Sequence, residues 1–216
     1  VRYMTASRVL SCQRVLSADL LDMALRKLII YHDALRLSIR RDEAGEWSQT
    51  MVPAARVADF TVLACETVAS KEGIGPLLNA ALERTALRID ASSGSLLQAT
   101  LVSVGEEAAD GQALLLAAHH FAIDPVSWEI LVQDLQTIYE QLESGMPARL
   151  PVKGASFKAW SEALHAYANA PEANAELDYW RNSAWRDRPE LPVERDEAAD
   201  DEALCVTVGL DAAQTR

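Results

Sequence analysis

The sequence predicts an α/β (α+β) fold, in which strands and amphipathic helices share one core. Three observations carry this. The apolar run Ala113-Leu114-Leu115-Leu116-Ala117-Ala118 ends in polar residues, as a buried strand delivering side chains to the rim of a sheet does. Apolar residues recur at three- and four-residue spacing within residues 17–34, 74–87 and 125–143, the signature of one-sided helices. Alternating residues around a glycine-bearing turn between 37 and 53 mark a hairpin.

Val9 to Gln13 and Val15-Leu16 read as strand, in an opening that looks cut from a longer polypeptide. Ser17 is placed to cap a helix with Asp19 in its first turn, and Leu21, Ala24, Leu28, Tyr31 and Leu35 form its apolar face, ending near His32–Ala34. Leu37 and Ile39 begin a strand, Asp42–Glu46 turn through Gly45, and Trp47, Gln49 and Met51 return until Pro53. A short strand is expected at Phe60–Leu63. A helix over Ile74–Leu87 has Leu77, Leu78, Ala81, Leu82 and Thr85 on one face. After the Ser92-Ser93-Gly94 turn, Leu96–Val104 reads as a strand. A short acidic turn, Gly105–Gly111, joins it to the run ending in His119, so the two should pair antiparallel.

Asp124 and Pro125 fit the N-cap and first position of a helix with Trp128, Leu131, Leu135, Ile138 and Leu142 on its apolar face, stopped by Ser144-Gly145. Met146–Gly154 is a connector. Ser156 caps a helix with the face Phe157, Trp160, Leu164 and Tyr167, and Pro171 starts another reaching Trp180. Pro189–Glu202 is an acidic connector, and Leu204–Leu210 reads as a strand.

Composition narrows the function. The 216 residues are 50% hydrophobic and 24% charged, enough for one sizeable core or for a domain and part of another. A net charge of −12 makes nucleic acid and anionic membrane surfaces poor partners. There is no apolar run long enough to span a bilayer and no signal-peptide pattern. Cys12, Cys65 and Cys205 are scattered and odd in number, which argues against a disulfide framework and for a reducing cytoplasm.

The chemistry concentrates at His119-His120-Phe121-Ala122-Ile123-Asp124. Neighbours on a strand point to opposite faces, so one histidine should face a cleft and the other pack inside. Four readings compete. The histidines are satisfied polar residues at a strand end. They bind a metal with Asp124, a poor fit because adjacent strand histidines diverge and no further ligand cluster is visible, so no metal is expected. Ser127 is a nucleophile, weakened by its position inside a helix without a glycine-flanked elbow. Or one histidine is a general base at the end of a strand.

The fourth reading gains from a resemblance. His119-His120-x-x-x-Asp124 resembles the signature of nonribosomal peptide synthetase condensation and epimerization domains, with Pro125 where a glycine is usual. His32-Asp33-Ala34-Leu35-Arg36 resembles the family's upstream His-x-x-Leu-Arg element, and Leu96-Leu97-Gln98-Ala99 its next strand. Ser156–Trp160 and Leu177-Asp178-Tyr179-Trp180 resemble its downstream helices. Val126-Ser127-Trp128 with Leu131 and Asp134-Leu135 is more similar to epimerization domains.

The resemblance implies a chloramphenicol-acetyltransferase-like lobe with a mixed, mostly antiparallel sheet. Residues 1–188 would be the N-terminal lobe, and 189–216 a connector and first strand leading towards a second lobe that this sequence does not match. The implied activity is L-to-D epimerization of an aminoacyl or peptidyl thioester. There is no cofactor of the domain's own; the substrate rides on the 4′-phosphopantetheine arm of a peptidyl carrier protein, and the other partners are adjacent synthetase modules. His120 would be the base and His119 its inward support. Asp124 would pair with Arg36 to hold the site's shape, and Ser127 and Trp128 would line the cleft, although the spacing of Trp128 with Leu131 and Leu135 also fits core. The lobe alone is expected to be incomplete, lacking a second-lobe glutamate to return the proton. Amide-forming condensation is the alternative enzyme; a carrier-docking module without turnover, or an inactive half-domain, is the alternative from another class.

Overall fold

The computed structural model describes residues 4–70, 72–105, 108, 111–182, 209 and 211–213. The connector 189–202, Cys205 and the expected strand 204–210 lie outside the described residues, apart from Gly209. Two compact units are present, residues 1–163 and 164–216.

The first unit is built on a four-stranded sheet of β1 (Thr5–Cys12), β4 (Leu63–Val68), β5 (Leu97–Val104) and β6 (Gln112–His119), in the order β1-β6-β5-β4. β6 pairs antiparallel with both neighbours, as the short acidic turn requires, and β4 runs parallel to β5. A separate hairpin joins β2 (Leu37–Arg41) to β3 (Trp47–Met51). The sheet is therefore mixed and mostly antiparallel.

Helix α1 (Ala18–Tyr31) starts where Ser17 accepts a hydrogen bond from the Leu20 N–H, and it buries Leu21, Ala24, Leu25, Leu28 and Ile29. Helix α3 (Pro125–Glu143) buries Trp128, Leu131, Leu135, Ile138 and Tyr139. Both contribute to one apolar cluster with Leu97, Ala99, Leu101, Leu114, Leu116 and Ala118, residues that share one face of the sheet. Helix α2 (Ile74–Leu87) covers the opposite face, where Ala81 meets Val102 and Leu115. The Thr85 hydroxyl lies 2.6 Å from that of Thr100, so the polar pair inside that contact is satisfied. The face of α2 turns slightly from the expected one: Leu78 and Leu82 are partly buried, and Leu77 is exposed.

Two strands differ from their expected places: β1 covers Thr5–Cys12 and leaves Val15-Leu16 outside any strand, and the strand expected at Phe60–Leu63 lies later. Phe60–Leu63 is not a strand; β4 begins at Leu63. Pro53 instead opens a 3₁₀ turn over Ala54–Asp59 that buries Val57 completely, and extended pairing resumes only beside β5. The turn before β5 needs its glycine. Gly94 has φ +81°, and a Cβ there would come within 2.6 Å of Val52 and 3.1 Å of the Arg36 carbonyl. Helix α4 (Phe157–Ala168) begins with the Ser156 hydroxyl accepting from the Ala159 N–H, and its residues Phe157, Trp160, Leu164 and Tyr167 are exposed. In the second unit, α5 (Pro171–Asn182) starts at its proline as expected.

Candidate active site

The two histidines diverge. His119, the last residue of β6, is 1% exposed. Its Nδ1 accepts a hydrogen bond from the Phe121 N–H at 3.1 Å. A backbone N–H only donates, so the ring proton sits on Nε2, and that atom is buried without a partner among the described residues. Burial, and then the charge of His120, push the pKa of His119 below the ordinary histidine value. His119 is thus a neutral, inward imidazole. It lies at the base of a cleft of about 890 Å³ between β1 and α2.

His120 lies one residue past β6, in a turn, and is exposed. Its Nδ1 is 3.3 Å from the Ile123 carbonyl oxygen. A carbonyl only accepts, so Nδ1 carries a hydrogen, and in the neutral ring the lone pair is on Nε2. The chain from His119 to the start of α3 is cinched twice. The Phe121 N–H is held by His119, and the Ala122 N–H donates to the His119 carbonyl at 2.9 Å.

Asp124 closes the other end as the N-cap of α3. Its Oδ1 accepts from the Ser127 N–H at 2.7 Å and the Ser127 hydroxyl at 2.6 Å, while the Asp124 N–H donates to Ser127 Oγ. These bonds, the side-chain one first, hold the carboxyl of Asp124 below its usual range. Pro125 sits at the first helical position, where no N–H is needed.

The expected pair of Asp124 with Arg36 does not form. Arg36, 6% exposed, donates from Nε to the Ile29 carbonyl at 3.1 Å and from its terminal nitrogens to the carbonyls of Ile30 and Val52 and to Asp33. The guanidinium is spent on the open carbonyls at the end of α1 and on the hairpin, and the carboxylate is spent on the start of α3. Trp128 corrects a second expectation. It is 2% exposed, packs in the main core and lies 5.4 Å beneath the Arg8 guanidinium, so it is not a cleft wall. Ser127 does border a small pocket of about 230 Å³, with His32, Ala34, Leu35 and Ile123 on its other sides.

Sequence reasoning missed one pair. His32 Nε2 lies 2.8 Å from Asp134 Oδ2, tying the end of α1 to the middle of α3 beside that pocket. Both residues fall in segments singled out above, but a spacing of 102 residues gives no local signal. Among the described residues, no group of three His, Cys, Asp or Glu side chains is arranged to hold a metal ion, and no helix is long and apolar enough to cross a membrane.

The sequence and the fold have relatives. The family model for the Condensation domain matches residues 3–213. The chain belongs to the condensation-domain family. Chondramide synthase cmdD of Chondromyces crocatus is 36% identical over 203 residues, which is 92% of this condensation-family chain and 5% of the synthase. A linear gramicidin synthase polypeptide of Brevibacillus parabrevis is 34% identical over 217 residues, 97% of this chain and 3% of that protein. The crystal structure of the epimerization domain from the third module of tyrocidine synthetase B superposes with a TM-score of 0.75 at 26% identity, covering 84% of this chain and 40% of that one. The first condensation domain of the calcium-dependent antibiotic synthetase shares the fold at 21% identity, with a TM-score of 0.70, 88% of this chain and 44% of that chain covered. The family lobe is thus chloramphenicol-acetyltransferase-like, and the chain spans less than half of these solved domains and a few per cent of the synthases.

Proposed function

We propose that this chain is the N-terminal lobe of an epimerization domain that inverts the α carbon of an aminoacyl or peptidyl thioester, with His120 as the general base. The observation that carries the reading is the polarity of His120. Its Nδ1–H donates to the Ile123 carbonyl, so in the neutral ring Nε2 is the nitrogen that holds the lone pair, on an exposed residue. The similarity to a solved epimerization domain supports it. In this reading residues 1–188 form the lobe and 189–216 lead to the second one.

A thioester acidifies its α C–H, because the electron pair left behind delocalises into the carbonyl as an enolate. Nε2 of His120 takes that proton, and the imidazolium that forms keeps its Nδ1–H on Ile123. The Asp124–Ser127 capping box fixes the turn that holds the Ile123 carbonyl, so Asp124 and Ser127 act by position. His119 braces the same turn from inside through the Phe121 N–H. Return of a proton to the opposite face needs a second acid, which the resemblance assigns to a glutamate of the second lobe. The substrate is carried on the phosphopantetheine arm of a peptidyl carrier protein supplied by adjacent modules, and the lobe uses no cofactor of its own.

The test uses the intact synthetase with its carrier loaded and measures exchange of the substrate α proton with D₂O. His120→Ala should slow exchange by roughly a hundredfold or more without changing the thermal unfolding of the protein. Undiminished exchange removes His120 as the base. Amide-forming condensation is the second reading, favoured by the match of residues 3–213 to the Condensation domain family. There His120 would assist attack of an acceptor amine. Supplying one loaded carrier and then two separates the readings, by stereochemical scrambling in the first case and a new amide in the second. Carrier binding with neither product identifies a docking module, which Pro125 in the glycine position would fit.

A further inference from the structure

A second cleft, of about 710 Å³, opens between the β2–β3 hairpin, the 3₁₀ turn after it and the C-terminal end of α2. Its charges are unusual for a chain of net charge −12. Arg40, Arg56 and Arg88 all line it. Arg56 is neutralised by Asp59. Arg40 and Arg88 make no ion pair with any described residue.

Both are anchored through neutral acceptors. Arg40 Nε donates to the Ser92 carbonyl at 2.9 Å, and its two terminal nitrogens make no hydrogen bond within the described residues. Arg88 Nε donates to Gln98 Oε1 at 3.2 Å, and Nη2 donates to the Ala99 carbonyl and Thr100 Oγ1, leaving Nη1 open among the described residues. The acid whose charge reaches Arg88, Glu66, is already engaged by Arg84. Asp90 also lines the cleft; Ser92 donates to its carboxylate from both N–H and hydroxyl and holds it ionised, so three arginines face two aspartates and the lining keeps a net positive charge.

The floor is equally built. Gln98 and Ser38 are each 2% exposed; Gln98 Nε2 holds Ser95 Oγ at 2.8 Å, and Ser38 donates to the same Ser92 carbonyl as Arg40. A guanidinium fixed through Nε has already lost its rotamer freedom and presents a planar edge of N–H donors. Two such edges, in a cleft also lined by the hydroxyl residues Ser38, Thr50, Ser93 and Ser95, match the oxygens of a tetrahedral oxyanion.

We propose that the cleft between the hairpin and the end of α2 binds a phosphoryl group, held by Arg40 and Arg88. The site is separate from His120 and needs no chemistry there. Isothermal titration of the whole chain at fixed ionic strength should show saturable binding of inorganic phosphate and of glycerol 3-phosphate, and none of glycerol. Tighter binding of the ester than of phosphate identifies an organic phosphate as the source; equal binding identifies free phosphate. Arg40→Gln, at an exposed position, should weaken phosphate binding by about tenfold or more. Arg88→Gln should do the same, with circular dichroism confirming its fold. Arg14→Gln, at an exposed position that does not line this cleft, serves as the control and should leave binding unchanged. No saturable binding, or equal losses in Arg40→Gln and Arg14→Gln, overturns the proposal.

Discussion

His119 and His120 carry their ring protons on opposite nitrogens because each has one backbone partner of opposite polarity, an N–H for the first and a carbonyl for the second. For His119 this has a consequence for stability. Its folded pKa lies below the unfolded value near 6.5, with burial as the larger cause. The unfolded chain therefore binds more protons in that window, and the stability due to a neutral His119 is present above about pH 6.5 and lost as pH falls through the folded value. Thermal melts should show a midpoint that drops below about pH 6.5, with a shallower drop in His119→Asn. A pH slope unchanged by that substitution would place the acid sensitivity elsewhere. The divergence of the two rings was legible from strand alternation alone. The fate of Asp124 was not, because a carboxylate at a helix start has two partners available. The local one, Ser127, needs no chain closure and wins over a guanidinium 88 positions away in sequence.

At the scale of elements, Arg36 shows how one side chain replaces a cap. Helix α1 ends without a basic residue in its last turn, and the Arg36 guanidinium supplies donors to the carbonyls of Ile29 and Ile30 while reaching across to Val52 at the end of the hairpin. Lysine has one point charge and cannot serve three separated acceptors. Arg36→Lys should cost roughly 2–3 kcal/mol, measured by urea unfolding, because buried carbonyls lose their donors. Leu115, fully buried between α2 and the sheet, tests the other side of the fold. Leu115→Ala should cost roughly 2–5 kcal/mol, and a smaller loss would mean that α2 is held mainly by the Thr85–Thr100 bond. Helix starts at Ser17, Asp124 and Ser156, and the β5–β6 pairing, were readable because caps and short turns are local. The parallel strand β4 was not, since its register is set by β5 rather than by the turn before it.

A large like-charge excess over the whole chain stands against a few surface ion pairs among the described residues. Arg14–Glu143, Arg56–Asp59, Arg84–Glu66 and Lys158–Glu162 are mostly exposed. Exposed pairs of this kind contribute little, and salt weakens them. Against them stands the net charge of −12, whose mutual repulsion acts over the whole surface when the screening length is about 30 Å at 0.01 M salt and is cut back when it falls to about 8 Å at 0.15 M. Repulsion is summed over many distant pairs, whereas the attractive contacts among the described residues are short and few, so screening should remove more destabilisation than stabilisation. Raising NaCl from 0.01 to about 0.15 M should therefore raise the melting temperature at pH 7.5, where His119 is neutral and does not enter the comparison. Chloride at the Arg40–Arg88 cleft would add in the same direction, so the measurement is repeated in Arg40→Gln. A rise that persists there belongs to the net charge, and a fall in melting temperature would mean that the surface pairs outweigh it.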